Sequence, residues 1–428
     1  MEFVMVWKIF YNFILLPVVI VIGLILSIFN KKIRLGLLGR FQSYKIIKKF
    51  IKTVGPNKDI YWFHVASLGE YEQTKPVISG LKEIEPNSLF ILSFFSPSGY
   101  NNVMDDIIDC KIYLPIDLYW VVKKCLKLAK PKKLILTAYD IWPNLIWIAN
   151  SLNIQTTIFA ARFSENTYKL TFLIRSFYKY VYDHFSAIYT ISERDHIQIK
   201  KILFPSDKPI LRVLGNPRYD RVKQKSDAFT KERTKSVLQR PIQLLVGSSH
   251  LEDEEKILDS IIDLMKNIND FSIIWASHEP NKEGVNKIKS FFESFSLSTE
   301  FLGSRNPEKI NSRVIIVDSV GRLSQLYWYA QMAYIGGGFS TGVHNVMEPA
   351  IARLPIFFGP RYNNSPEAEK LIDVNGGFVI HNGKDLKNGI EKLLNDKNAF
   401  MKASYSSTDV IHSNLGSATR VIRNIIHD

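Results

Sequence analysis

The fold is decided by one short stretch, Trp62–Phe63–His64–Val65–Ala66–Ser67–Leu68–Gly69–Glu70. Its apolar half predicts a buried strand, and a helical pattern from Tyr71 to Leu81 begins directly after the Ser-Leu-Gly-Glu turn. Ligands of open α/β sheets bind at the carboxyl edge of the strands. The pattern therefore places Glu70 at such an edge. It is either a base that takes a proton from a hydroxyl or an acid favoured in the first turn of a helix.

Apolar runs followed by helical patterns recur along the chain, which predicts parallel sheets with helices on both faces. In the first half the expected strands are Ile60–Val65, Leu89–Phe94, Lys133–Thr137, Thr156–Ala160 and Ala187–Thr190. In the second half they are Ile242–Val246, Ser272–Ala276, Val314–Val317, Met332–Ile335 and Pro355–Phe358. The pattern breaks between Arg212 and Pro217, so we expect a domain boundary near Asn216.

Length and composition agree with two globular α/β domains. The chain has 428 residues, which is too long for one ordinary domain. Its composition, 46% hydrophobic and 22% charged, is typical of folded proteins. Its two cysteines, Cys110 and Cys125, have neither the spacing of a metal site nor a disulfide framework, and they fit a reducing compartment. Without an HExxH motif, paired CxxC motifs or a P-loop, we expect no bound metal and no ATP hydrolysis.

The N-terminal segment predicts a membrane anchor. No charged residue occurs from Ile9 to Asn30, and a bilayer-spanning helix needs about 20 apolar residues. Lys31 and Lys32 follow at once, and residues 1–60 carry a net charge of +8 out of +14 for the whole chain. A positively charged flank is typical of the cytoplasmic side, so the rest of the protein is expected in the cytoplasm.

A basic amphipathic helix is expected after the anchor. Its apolar stripe consists of Ile46, Ile47, Phe50 and Ile51. The ammonium groups beside the stripe belong to Lys45, Lys48, Lys49 and Lys52. Such a helix either lies on an anionic membrane surface or packs on a core with a solvated basic back. Its position beside the anchor favours the membrane. The charge lacks the interleaved aromatic residues of a nucleic-acid surface, so no nucleic-acid partner is expected.

Two further charged residues are candidates for chemistry in the first half. Asp140 follows the strand Lys133–Thr137 and would face the same edge as Glu70, where two acids can divide the roles of base and charge stabiliser. Arg218 falls in the hinge segment 215–220. Its guanidinium either meets a phosphate or carboxylate when a cleft closes or forms an ordinary salt bridge between domains.

Turns in the second half have the character of an anion site. Gly336–Gly338 follow a strand, and glycines let a backbone approach a phosphate. Gly247–His250 precede an acidic helix start and either hold a phosphate or cap the helix. Ser277–His278 end the next strand. Glu348, before Pro349, either accepts hydrogen bonds from ribose hydroxyls or is a first-turn acid.

These motifs, in this order, resemble one family, the 3-deoxy-D-manno-octulosonic acid (Kdo) transferases of lipid A biosynthesis. The resemblance runs from about Leu35 to Ala418. The segments that carry it are LGLLGR (35–40), WFHVASLGE (62–70), WPNLI (142–146), ARFSE (161–165), GNPRYD (215–220), GSSH (247–250), DSVGRLSQLY (318–327) and HNVMEP (344–349).

The resemblance implies an α/β protein of the GT-B class, with two Rossmann-like domains facing a central cleft and an N-terminal membrane-anchor helix. The expected domains are an anchor (1–30), an acceptor domain with the basic membrane-surface helix (31–215), a CMP-sugar domain (216–410) and a C-terminal helix (411–428). The implied activity is inverting transfer of Kdo from CMP-Kdo to a hydroxyl of the lipid A precursor, lipid IVA, at the cytoplasmic face of the inner membrane. CMP-Kdo is a substrate, so no cofactor is expected.

The resemblance also implies roles for individual residues. Glu70 would be the general base, and Asp140 and Arg218 would support the transition state. The expected donor-binding set is Ser248, Ser249, His250, Ala276, Ser277, His278, Val320, Gly321, Arg322, Gly337, Asn345, Val346, Met347 and Glu348.

The sequence departs from the family pattern at two segments. Ala138–Asp140 replaces the usual Glu-Thr-Glu, and Ser277–Pro280 replaces the usual Arg-His-Pro-Glu, which removes a cation. Arg322 stands where an acid is common, and we hypothesise that it replaces the missing positive charge.

Two other functions fit part of the pattern. Another GT-B lipid-linked sugar transferase, such as an N-acetylglucosaminyl transferase, would share the glycine turn and Glu348 but would not need the SLGE segment. A membrane-tethered protein that binds a nucleotide sugar or a nucleic acid without catalysis would tolerate Glu70→Gln.

Overall fold

The computed structural model describes residues 2–55, 58–163, 168–230 and 236–428. They form two compact units. The first contains the chain up to Arg221 together with Gly416–Asp428, and the second is Val222–Leu415. The division lies shortly after the boundary expected near Asn216. Positions 164 and 165 of the ARFSE segment lie outside the described residues.

The first unit begins with helices. In chain order they are α1 (Glu2–Phe10), α2 (Leu16–Phe29) and α3 (Lys31–Val54), with a π-helical turn at Tyr11–Leu15 between the first two. Asn30 separates α2 from α3, and its side chain caps α3 by accepting hydrogen bonds from the backbone of Lys32 and Ile33. The span Val6–Phe29 is long and apolar enough to cross a membrane, by length and composition.

The apolar stripe of α3 packs into the protein core. Ile47 is fully buried, and Ile46, Phe50 and Ile51 pack against the same core cluster. The four lysines on the opposite face are exposed. The expectation that this stripe lies on a membrane surface is therefore wrong, because an apolar stripe of helical period serves a core as well as a membrane.

The first sheet is built from parallel strands. They are β1 (Ile60–Val65), β2 (Leu89–Phe94), β3 (Cys110–Tyr113), β4 (Lys133–Thr137), β5 (Gln155–Ala161), β6 (Ala187–Thr190) and β7 (Ile210–Val213). The helices that follow α3 are α4 (Leu68–Ile84), α5 (Pro97–Asn102), α6 (Tyr119–Ala129), α7 (Pro143–Ser151), α8 (Phe172–Tyr182), α9 (Glu193–Leu203) and α10 (Arg218–Thr230). The strand order is β3-β2-β1-β4-β5-β6-β7.

The second sheet is also parallel. Its strands are β8 (Gln243–Ser249), β9 (Ser272–Ser277), β10 (Thr299–Phe301), β11 (Val314–Ile316), β12 (Met332–Ile335), β13 (Ile356–Phe358) and β14 (Gly377–Val379). Its helices are α11 (Leu251–Asn267), α12 (Lys282–Ser294), α13 (Leu323–Leu326), α14 (Met347–Ile351), α15 (Pro366–Asp373), α16 (Gly383–Asn395) and α17 (Lys397–His412). The strand order is β10-β11-β9-β8-β12-β13-β14.

The C-terminal helix α18 (Ser417–His427) belongs to the first unit. Alternate residues of β1 point to opposite faces of the sheet, so Trp62 enters one core cluster and Phe63 the other. Val421 and Ile425 of α18 complete the cluster that contains Phe63. The C-terminal helix is thus part of the core of the first unit.

The fold class is confirmed as α/β with two Rossmann-like units. Every strand expected from the sequence is present, within one to three residues at its ends. The strands that were not expected are the two edge strands of each sheet, β3, β7, β10 and β14. They are short, and β7 includes Arg212 and Val213 of the segment interpreted as a break in the pattern.

Strand order reverses between β1 and β4 in the first sheet and between β8 and β12 in the second. The crevice at the carboxyl ends of such strands is where open α/β sheets bind ligands. We therefore expect functional side chains at these two strand edges.

Candidate functional site

Glu70 lies in the first turn of α4, directly after the carboxyl end of β1. Ser67 caps this helix by accepting a hydrogen bond from the backbone of Gly69 at 3.2 Å, and its hydroxyl donates to the Glu70 carboxylate. The Glu70 side chain is half-buried. It is a first-turn acid, and it is also accessible to an incoming hydroxyl.

Asp140 follows β4, the neighbour of β1 at the reversal of strand order. Its carboxylate accepts a hydrogen bond of 2.9 Å from Nε2 of His64, which is fully buried in β1. Burial raises the pKa of Asp140, but the hydrogen bond from His64 and the charge of Arg40 outweigh it. The pKa therefore lies below its usual value, and Asp140 is ionised at neutral pH.

Arg40 of α3 supports the same edge, although no specific role was predicted for it. Its guanidinium donates to the carbonyl oxygens of Leu114 and Phe95 at 3.0 and 2.9 Å, and it lies 4.1 Å from the centre of the Phe95 ring. Burial lowers the pKa of Arg40 to about 10, against the opposing effect of Asp140. Arg40 thus carries a buried positive charge behind Asp140.

Tyr139 and Arg162 complete the charged surroundings of Glu70. Burial, followed by the charge of Glu70, raises the pKa of Tyr139, while Arg162 acts in the opposite direction. The Tyr139 phenol therefore remains protonated at neutral pH and can donate a hydrogen bond. Arg162 is exposed, and it belongs to a segment that carried the family resemblance without being named as a site residue. We call Glu70, Tyr139, Asp140 and Arg162 the first-edge site.

Arg218 is half-buried at the start of α10. The backbone of Arg218 donates to the Asn216 side chain at 3.0 Å, and Gln73 of α4 donates to the same oxygen at 2.7 Å. This arrangement ties Arg218 to the helix that carries Glu70. Within the described ranges, the Arg218 guanidinium has no hydrogen-bond or ion-pair partner, so its charge is available to a ligand.

Three histidines converge at the carboxyl edge of the second sheet. His250 follows β8, His278 follows β9, and His344 lies in the loop after β12, so the three neighbouring strands bring them together. Nε2 of His250 lies 2.7 Å from Nε2 of His344. Ring nitrogens of all three residues lie within 4.8 Å of one another.

This histidine cluster has two chemical possibilities. Burial, followed by the charges of His278 and His250, lowers the pKa of His344 to about 4, so this imidazole is neutral at pH 7. Neutral imidazoles at this spacing either share a proton or bind one divalent metal ion such as Zn²⁺. The sequence did not indicate such a cluster, because its members are far apart in the chain and His344 was not predicted as a site residue.

Asp253 in the first turn of α11 organises this edge. Its fully buried carboxylate accepts hydrogen bonds from the backbone of His250 at 2.9 Å, the backbone of Gly337 at 2.7 Å and the hydroxyl of Tyr334 at 2.7 Å. Gly337 has a φ of +88°, which favours glycine. Gly337 belongs to the expected donor-binding set, and its N–H is bound by Asp253.

The hydroxyl-rich turn packs tightly beside the glycines. Ser248 has a φ of +55°, and a Cβ at Gly336 would lie 2.2 Å from its carbonyl oxygen. Ser249 is buried and donates to Glu254 at 3.3 Å. Ala276 is buried, whereas Ser277 is half-buried. The half-buried side chains of Ser248 and Ser277 are thus the hydroxyls that face outward at this edge.

In the segment around Glu348, the groups that can contribute to donor binding are mainly the backbone and the Glu348 carboxylate. The side chains of Val346 and Met347 are buried, and the side chain of Asn345, just before α14, accepts a hydrogen bond of 3.1 Å from the backbone of Met347. Glu348 is half-buried, and its charge adds to the effect of burial in raising the pKa of Tyr327. Glu348 therefore lies near the buried Tyr327 phenol.

Arg322 lies in an exposed loop before α13 with Val320 and Gly321. Its guanidinium donates to the carbonyl oxygens of Gly303 and Arg305. These bonds tie Arg322 to the loop that follows β10, and they do not support the hypothesis that it replaces a missing donor-binding cation.

Comparisons with known proteins identify sequences and structures that are similar to this chain. Residues 37–221 match the family model described as 3-Deoxy-D-manno-octulosonic-acid transferase (kdotransferase). The chain is 27% identical over 435 residues to a 3-deoxy-D-manno-octulosonic acid transferase from Haemophilus influenzae, covering 97% of each chain.

Solved structures share the fold of the two units. A UDP-GlcNAc 2-epimerase from Neisseria meningitidis matches with a TM-score of 0.60 and 14% identity, over 87% of this chain and 100% of that chain. A glycosyltransferase from Rickettsia africae matches with a TM-score of 0.55 and 13% identity, over 87% and 97%. These structures support the GT-B fold class. The family match and the curated relative make this chain similar to the 3-deoxy-D-manno-octulosonic acid transferases, a family of glycosyltransferases.

Proposed function

We propose that this protein transfers Kdo from CMP-Kdo to a hydroxyl of the lipid A precursor, lipid IVA, with inversion at the anomeric carbon. The observation that carries the proposal is the first-edge site, where the half-buried Glu70 lies at one strand end and the ionised Asp140 at the next. A base beside a second, fixed carboxylate suits the attack of a hydroxyl on a sugar.

Glu70 acts as the general base in this proposal. Its carboxylate takes the proton of the acceptor hydroxyl while the hydroxyl oxygen forms a bond to the anomeric carbon of Kdo. The bond from that carbon to the phosphate oxygen breaks, and CMP leaves with the bonding electrons. One such displacement inverts the configuration. Glycosyl transfer develops positive charge on the sugar, and Asp140, held by His64, stabilises it.

The second edge supplies the donor site in this proposal. The N-terminus of α11 follows the Ser248–His250 turn, and a helix N-terminus favours phosphate. Ser277 and His278 lie at the next strand end. Glu348 accepts hydrogen bonds from the ribose hydroxyls. Arg218 supplies a positive charge for the transition state. CMP-Kdo is consumed as a substrate, so the reaction needs no cofactor.

The N-terminal helices support a reaction at a membrane. The span Val6–Phe29 has an almost entirely exposed apolar surface, and Lys31, Lys32 and Arg34 follow it. Cations at this flank favour the cytoplasmic side and attract anionic lipids. We therefore place the protein at the cytoplasmic face of the inner membrane, where its acceptor is an anionic lipid.

The test compares Glu70→Gln with Glu83→Gln in the purified protein. Glu83 is exposed at the other end of the same helix, so it controls for the loss of one charge. We expect Glu70→Gln to lower kcat for Kdo transfer by about 10²-fold or more, with CMP affinity retained and Glu83→Gln at wild-type activity. A kcat near wild type for Glu70→Gln would contradict the assignment of the base.

A further inference from the structure

An apolar pocket of about 420 Å³ lies between α2, α3 and the carboxyl edge of the first sheet. This volume is within the range of about 300–1,000 Å³ typical of small-molecule sites. One wall is formed by Val19, Gly23 and Leu24 of α2, and the inner end is formed by Phe95 and Trp142, which follow β2 and β4. The pocket therefore runs from the apolar anchor helix to the strand edge that carries Asp140.

Arg40 and Asp117, two charged residues that line the pocket, are already bonded within the protein. Arg40 donates to two backbone carbonyls. The buried Asp117 accepts hydrogen bonds from the Tyr11 hydroxyl at 2.7 Å and from the backbone of Asn144 and Leu145 at 3.0 and 2.9 Å. A polar ligand would gain few new hydrogen bonds here. An alkyl chain would gain from leaving water without losing any.

The surroundings of the pocket indicate where the alkyl chain comes from. On α2, Val18, Val21, Ile22 and Ile25 are about half exposed and form an apolar face on the side of the helix away from the pocket, which suits contact with lipid. Lys32 lines the pocket and is exposed. At the inner end, Trp142 stacks on Phe95 with ring centres 5.1 Å apart, and Trp142 is two residues from Asp140. A ligand with an alkyl chain and an anionic polar head matches these apolar, basic and aromatic surfaces.

Gly23 keeps the pocket open. A Cβ at Gly23 would meet no heavy atom within 4 Å, so a larger side chain fits there without a clash. Glycine destabilises a helix interior relative to other residues. A side chain at this position would therefore narrow the pocket without weakening α2.

We propose that this pocket binds one acyl chain of the acceptor lipid and so positions the acceptor hydroxyl near Glu70. The inference rests on the proposed function, because it assigns the occupant as the acceptor and not as a bulk membrane lipid. It predicts that the protein selects acceptors by acyl-chain length as well as by the sugar.

The first test uses Gly23→Leu with Val21→Leu as its control. Val21 is exposed on the same helix, outside the pocket, and the substitution there adds one methylene. Acceptors with shortened acyl chains are assayed in detergent micelles.

In the wild type we expect the acceptor KM to rise by up to about fourfold per CH₂ removed. Gly23→Leu should raise KM for the long-chain acceptor about tenfold or more and flatten the chain-length dependence, with the effect on the acceptor KM and not on the CMP-Kdo KM. An unchanged chain-length dependence in Gly23→Leu would overturn the proposal.

The second test does not depend on transfer activity. A diazirine placed on an acyl chain of the acceptor is photolysed with the protein, and the labelled peptides are identified by mass. We expect labelling of α2 and α3 in the wild type and in Val21→Leu, with loss of that labelling in Gly23→Leu. If the labelling occurs but Kdo is not transferred, the proposed function fails while the pocket stands. If a diazirine phospholipid labels the same residues and excess acceptor does not compete, the occupant is a membrane lipid and the assignment to the acceptor is wrong.

Discussion

His64 and Asp140 are joined by a hydrogen bond between neighbouring strand ends, in which Nε2 of His64 donates to a carboxylate oxygen of Asp140 at 2.9 Å. His64 lies in β1 and Asp140 follows β4, so the bond spans the point where the strand order reverses. The imidazole is fully buried, and the pKa of Asp140 is below its usual value. The pair therefore fixes a negative charge at the strand edge that carries Glu70.

Replacing Asp140 with Asn should impair catalysis more than binding. An ionised Asp140 interacts most strongly with positive charge that develops on the sugar in the transition state, so we expect Asp140→Asn to lower kcat by about 10²-fold. The KM for CMP-Kdo should change little. Steady-state kinetics check this, with the exposed Asp106→Asn as the control. A kcat within twofold of wild type would remove Asp140 from the mechanism.

Asp117 should make the stability of the first unit depend on pH. Complete burial raises the pKa of Asp117 to about 7, against the hydrogen bonds that it accepts. Its pKa in the unfolded chain is about 3.9. Between these values the folded state holds an extra proton, so this group stabilises the fold at acidic pH and its contribution falls as pH rises towards 7.

The variant Asp117→Asn removes this titration. Relative to wild type, its free energy of unfolding should increase with pH between about 4 and 7, by at most about 1.4 kcal/mol per pH unit. The thermal unfolding midpoint of the detergent-solubilised protein, measured across this range, reports the trend. A constant difference between variant and wild type would show that Asp117 does not titrate there.

Asp253 should matter for both the stability and the donor site of the second unit. It accepts three buried hydrogen bonds, two of them from the backbone of His250 and Gly337. Because an amide cannot accept all of them as a carboxylate does, Asp253→Asn should lower the free energy of unfolding by about 1.5–3 kcal/mol. It should also weaken CMP binding. The exposed Asp259→Asn on the same helix is the control, and equal stability of the two variants would contradict this role.

The histidine cluster should respond to added metal ions. Three imidazoles with ring nitrogens within 4.8 Å of one another can ligate one Zn²⁺ or Co²⁺ ion. We expect added Co²⁺ to give the visible absorption of a histidine-bound ion and to compete with CMP, and we expect His250→Asn to abolish both effects. The exposed His381→Asn serves as the control. If chelation abolishes transfer by the purified enzyme, a bound metal takes part in the reaction, contrary to the proposed mechanism.

The central strands could be predicted because parallel strands covered on both faces are continuous apolar runs. Edge strands such as β10 and β14 have three residues each, too few for a periodic signal. The stripe around Ile47 shows a second limit. Helical periodicity identifies an apolar face but not what covers it, and here the face is covered by the core.

The positions of Glu70 and Asp140 at neighbouring strand ends could be predicted because the strand ends of one parallel sheet lie side by side. The residues that hold this site in place could not. The sequence pattern around His64 predicts only that this residue belongs to a buried strand. Nothing near it in the sequence indicates its hydrogen bond to Asp140. The same holds for Asp253, which looks like one of several acids at a helix start, and for His344, whose partners come from other strands.

The mass of the lipid product tests the proposed function. The purified full-length protein is incubated with CMP-Kdo and lipid IVA, wild type beside Glu70→Gln and Glu83→Gln, and the lipid products are analysed by mass spectrometry. The proposed function predicts that the mass of lipid IVA increases by one or more Kdo units with the wild type and Glu83→Gln, and that Glu70→Gln gives almost no product. Unmodified lipid IVA in every sample, with CMP still bound by the protein, would contradict it.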